Sequence, residues 1–81
     1  MADEYIQQII DIIRPIAKSR DPIEAHTRII EDGIIDSLSV INLIMEIERA
    51  FEIKIGIMDV TINDFETPAK IAEVIDRKKR G

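Results

Sequence analysis

The sequence predicts an all-α fold, a small bundle of three main helices plus one short helix, in a single domain spanning residues 1–81. Three observations predict it. Apolar residues recur at three- and four-residue steps along most of the chain, the period of amphipathic helices. The one alternating stretch, Ile53-Lys54-Ile55-Gly56-Ile57, has no partner strand elsewhere and reads as an extended loop. Composition adds the third: apolar residues make up 46% of the chain but aromatics only 4%, and there is no cysteine. Isoleucine packing therefore has to hold the interior without a disulfide framework. A chain of 81 residues buries roughly 60 to 65% of its unfolded surface in one core.

The first helix, about residues 3–16, carries Ile6, Ile9, Ile10, Ile13, Ile16 and Ala17 at helical spacing. Pro15 removes a hydrogen bond and crowds the preceding turn, so this helix is expected to stop near Arg14 or to continue kinked to Lys18. Residues 19–35 form a long loop. Asp21-Pro22 and Gly33 mark turns in it, and Ile23, Ile29, Ile30, Ile34 and Ile35 are available to pin it to the core. A connection of that length in a small domain usually has a function or a tight anchor. Here it delivers the chain to Ser37.

The second helix, about residues 37–52, starts with Asp36 as its N-cap, whose carboxylate can accept from the N–H groups of Leu38 or Ser39. Ser37 is then the first helical residue. A phosphate esterified to its oxygen would lie beside unpaired N–H groups at the positive end of the helix dipole. A short helix over about residues 61–66 precedes Thr67-Pro68, a good cap followed by a proline suited to the first helical position. The last helix, about residues 68–79, buries Ile71, Ala72, Val74 and Ile75.

The second helix has too many apolar residues for one stripe. At about 100° per residue, Val40, Leu43, Ile44, Ile47 and Phe51 fall within about 60° of one direction and form the core face. Leu38, Ile41 and Met45 form a separate stripe near 160°, 100° and 140°, with Glu48 and Glu52 alongside near 80° and 120°. An exposed apolar stripe with a charged border beside Ser37 has the character of a partner-docking surface. Met45→Glu and Glu48→Lys are accordingly expected to impair partner reactions without unfolding the protein.

Charge and motif content exclude other classes. All 16 acidic residues lie within positions 1–76, and four of the 11 basic ones form the tail Arg77-Lys78-Lys79-Arg80, assigned no function beyond complementing the helix dipole. An acidic body is a poor match for nucleic acid and a good one for basic partner proteins. The chain has no transmembrane-length apolar run, and Met1-Ala2-Asp3-Glu4 is acidic where a secretory signal is basic, so a cytoplasmic monomer is expected. A serine nucleophile needs a base and an oxyanion hole, but Ile35 and Ser39 occupy the glycine positions of the nucleophile elbow. His26 lies alone in the long loop, and neither a phosphate-binding glycine loop nor a paired-histidine metal motif occurs. No catalytic residue and no metal ligand is therefore assigned.

The stretch Asp32-Gly33-Ile34-Ile35-Asp36-Ser37-Leu38, followed by an Ile/Leu/Met-rich helix ending in Glu48-Arg49-Ala50-Phe51-Glu52-Ile53, resembles the acyl carrier protein family over nearly the whole chain. The family's Asp-Ser-Leu signature falls on Asp36, Ser37 and Leu38. The resemblance implies an acyl-carrier-like bundle in which Ser37 receives 4'-phosphopantetheine from coenzyme A and the thiol of that arm carries an acyl or aminoacyl group as a thioester. It further implies a phosphopantetheinyl transferase, a loading ligase or acyltransferase, and downstream synthases or transferases as partners, reading Leu38, Ile41, Met45, Glu48 and Glu52. Ser39, Asn42 and Arg49 stand where carriers of fatty-acid biosynthesis often have carboxylates. Asp36-Ser37-Leu38 with its helix, and Phe65-Glu66-Thr67-Pro68-Ala69-Lys70-Ile71, are similar instead to D-alanyl and other specialised discrete carriers.

Overall fold

In a computed structural model, which describes residues 2–56, 58 and 60–80, helices account for all the regular structure of the described residues. A 3-10 turn over Ala2–Tyr5 leads into α1, Ile6–Ile16. The long loop follows, then α2, Ser37–Phe51, a short 3-10 helix at Ile62–Phe65, and α3, Pro68–Arg80. The all-α class predicted from periodicity is the class observed.

α1 neither stops at Arg14 nor reaches Lys18. It runs through Pro15 and ends at Ile16, where Ala17 turns extended and its N–H donates to the carbonyls of Ile13 and Arg14. The proline is tolerated because the bond it deletes belongs to the last turn, on a face where Asp11 and Pro15 are both exposed and water can reach the freed carbonyl. Tyr5 in the leading turn packs edge-on against Phe51 at the end of α2, with ring centroids 5.4 Å apart.

The core is aliphatic, as the composition demands. Ile9 and Ile13 of α1, Val40, Leu43 and Ile47 of α2, and Ile71, Ala72, Val74 and Ile75 of α3 are buried around Phe65, which is fully enclosed. Ile10, Ile16, Ile30 and Ile44 are only partly buried and pack on its margin. α1 lies against both α2 and α3.

The long loop is anchored along its length. Ile23, Ile29, Ile34 and Ile35 enter the core, the Ile29 N–H donates to the Glu66 carbonyl at 2.8 Å, and the Ala69 N–H donates to the Ala25 carbonyl at 2.9 Å. These bonds fasten it to the start of α3, where Thr67 caps the helix by accepting from the Lys70 N–H. Gly33, at φ 75°, makes the last turn of the loop, a left-handed conformation that an L side chain would strain. The turn places Ile34 and Ile35 in the core directly before Asp36.

After α2 the chain does not form a strand over residues 53–56; Ile57 lies outside the described residues. α2 ends one residue before the expected boundary because Glu52 adopts a left-handed conformation, φ 54° and ψ 48°. The Ile53 N–H then reaches back to the Glu48 carbonyl, closing the helix end.

Candidate functional site

The site is built where the loop meets α2. Asp36 is extended and caps the helix: its Oδ1 accepts from the Ser39 N–H at 2.8 Å, the second of the two partners the sequence offered. Its Oδ2 lies 2.5 Å from the Lys18 ammonium, so both carboxylate oxygens are engaged. Lys18 also donates its backbone N–H to the Ile34 carbonyl at 2.7 Å. The neck of the long loop is thus closed by one main-chain and one side-chain contact, both made by Lys18.

These contacts have an electrostatic consequence. The Lys18 ammonium first, and the Ser39 N–H second, hold the Asp36 carboxyl at about 2, below its ordinary 3.8. A carboxyl lowered on folding stabilises the fold above its ordinary value. That contribution is lost as pH falls through about 2.

Ser37, the first residue of α2, is exposed, and its hydroxyl has no hydrogen-bond partner among the described residues. The residues on either side of it in space do two different things. Upstream, Ile34 and Ile35 are buried and Asp36 is doubly bonded, which fixes the backbone that carries the hydroxyl. Downstream, Leu38, Ile41 and Met45 are 80%, 60% and 53% exposed, large values for such apolar side chains. An accessible hydroxyl at the positive end of a helix fits a phosphate ester, even with one of the helix's first N–H groups taken by Asp36.

The acidic border differs from what counting charges suggests. Glu48 turns inward: its Oε2 accepts from the Ile55 N–H at 2.7 Å and pins the chain that leaves α2. Glu46 sits 3.7 Å from Arg49, and Asp36 is paired with Lys18, so much of the negative charge of α2 is neutralised within the molecule. Glu52 is exposed at the left-handed helix end. Met45 also lines a groove between α1 and α2 with Ile12, Pro15, Ile16 and Asn42. His26 belongs to a separate concavity, with Arg28, Glu66 and Lys70, that does not include Ser37.

Lys18 is the residue that sequence reasoning missed. No local pattern marks it, because it meets Asp36 only after the intervening loop folds back on itself.

Comparison with known proteins follows the same outline. Residues 7–75 match the family described as phosphopantetheine attachment site. The chain is also 31% identical over 74 residues to the D-alanyl carrier protein of Staphylococcus xylosus, an alignment covering 90% of this chain and 95% of that one. Among the described residues no helix is long and apolar enough to cross a membrane. With its helical bundle, its capped and exposed serine and a match across most of its length, the chain belongs to the acyl carrier family, whose members bear a covalently attached 4'-phosphopantetheine.

Proposed function

We propose that Ser37 is the attachment point of the phosphopantetheine arm and that the cargo is an aminoacyl group, with D-alanine the first to test. One observation carries the attachment: the Ser37 hydroxyl is exposed as the first residue of α2, directly behind the capping Asp36 and inside the matched span. The cargo rests on the similarity to a D-alanyl carrier protein.

The modification balances simply. The Ser37 oxygen forms a new P–O bond, the pyrophosphate P–O bond of coenzyme A breaks, the adenosine bisphosphate half leaves, and the serine proton passes to a base of the transferase. The helix N-terminus accommodates the resulting phosphodiester. Once bound, the arm supplies the thiol that holds cargo as a thioester, which explains thiol chemistry on a chain without cysteine. Everything else the protein contributes is presentation. Leu38, Ile41 and Met45 offer an apolar surface that a transferase, an adenylating ligase and a downstream acceptor enzyme read in turn. Glu52 adds charge that steers basic partners, and salt should weaken those encounters.

The test is intact mass after incubation with coenzyme A and a broad-specificity phosphopantetheinyl transferase. Wild type should gain one phosphopantetheine and Ser37→Ala none. Equal gain by both proteins sinks the assignment of Ser37. The modified protein, given ATP, D-alanine and a D-alanine-activating ligase, should then gain one alanyl group. Failure there, with efficient loading of a fatty acyl chain instead, would overturn the aminoacyl reading.

A further inference from the structure

We propose that Lys18 is a positioning residue for modification of Ser37. It holds the Asp36 carboxylate in its capping position and cancels its charge beside the hydroxyl that must accept an anionic group. The proposal rests on the reading of Ser37 as the attachment point.

Two problems meet at this spot. Asp36 is needed to cap α2, because its Oδ1 takes the Ser39 N–H. Yet a carboxylate one residue from Ser37 repels the pyrophosphate of coenzyme A. Like charges at contact distance oppose approach. The ammonium of Lys18 at Oδ2 answers both. It occupies the oxygen that the helix does not use, leaving Oδ1 directed at Ser39.

Lys18 is suited to this by where it sits. Its main-chain N–H is already bonded to the Ile34 carbonyl, so the side chain starts from a fixed point. α1 behind it is locked into the core by Ile9 and Ile13. The ion pair therefore joins the end of one rigid helix to the beginning of another, across the neck of the loop. An exposed pair of this type contributes little to overall stability. Its effect is expected in the geometry and charge of the neighbouring hydroxyl.

The experiment compares wild type, Lys18→Met, Lys18→Arg and Lys18→Glu as substrates of the same phosphopantetheinyl transferase with coenzyme A. Lys18→Met keeps the chain length and the main-chain bond and deletes only the ammonium. It should lower kcat/KM for the carrier about three- to fivefold, with Lys18→Glu lower still and Lys18→Arg close to wild type. A second readout is independent of the enzyme. By NMR titration the Asp36 carboxyl, held at about 2 in wild type, should move up toward 3.8 in Lys18→Met and stay low in Lys18→Arg. Modification of Lys18→Met at the wild-type rate sinks the proposal while leaving Ser37 in place. Loss of rate that Lys18→Arg does not restore also overturns it. An unmodified wild type would instead remove the reading of Ser37 on which the proposal stands.

Discussion

Ile41 and Leu43 stand two residues apart on α2 and are chemically alike, yet the first is 60% exposed and the second wholly buried. The same contrast runs along the helix. Val40, Leu43, Ile47 and Phe51 are buried in the core, while Leu38, Ile41 and Met45 are exposed on the helix that Ser37 begins. Burial of the inner set removes apolar surface from water and supplies much of the driving force for folding. The outer set leaves that gain unrealised in the free protein. Apolar contact there becomes available only when another molecule covers it, which is the property a docking surface needs.

Four substitutions at three positions sharpen or break this comparison, and the largest effect is on the inner face. Leu43→Ala should lower the free energy of unfolding by about 2 to 5 kcal/mol, through lost transfer energy and the cavity left behind. Denaturant unfolding measures it. A loss below 1 kcal/mol would mean that the buried face does not carry the fold.

Glu48→Lys should come next, at about 1 to 2 kcal/mol, because it leaves the Ile55 N–H without its acceptor. This departs from the expectation drawn from the helical wheel, where Glu48 is only a charged border. Glu48→Gln, which retains an acceptor oxygen, separates the two roles. If it restores stability but not partner reactions, Glu48 serves both the fold and the docking surface. If neither variant changes the unfolding midpoint, the inward contact is not a support.

The smallest change in stability is expected for Met45→Glu, within about 0.5 kcal/mol of wild type. Its effect belongs to partner reactions, where kcat/KM for phosphopantetheinyl transfer or ligase loading should fall while the melting temperature holds. Strong destabilisation would show that Met45 is anchored in the α1–α2 groove it lines, and the two faces of α2 would then not be functionally distinct.

Much of the site was legible in order along the chain. The Asp36 cap, the placement of Ser37 at the start of α2 and the exposure of Leu38, Ile41 and Met45 all follow from helical period and capping chemistry, which are local. Pro15 was harder to read because two outcomes were compatible with losing one hydrogen bond, and the exposure of that last turn decided between them. The inward hydrogen bond of Glu48 is absent from the helical wheel for a different reason. Its partner, Ile55, lies beyond the helix end, where a wheel projection has no meaning.

By itself the sequence determined the helices, the aliphatic core and the one serine set at a helix mouth, because period, caps and turn residues act within a few positions of one another. Only the tertiary structure decided how the loop closes. Lys18 and Asp36 are 2.5 Å apart although a long stretch of chain separates them, and nothing short of the folded loop, held by Ile29 and Ala25 against the start of α3, brings an ammonium to that carboxylate. Contacts of that range depend on where several rigid elements come to rest together, which no local pattern encodes.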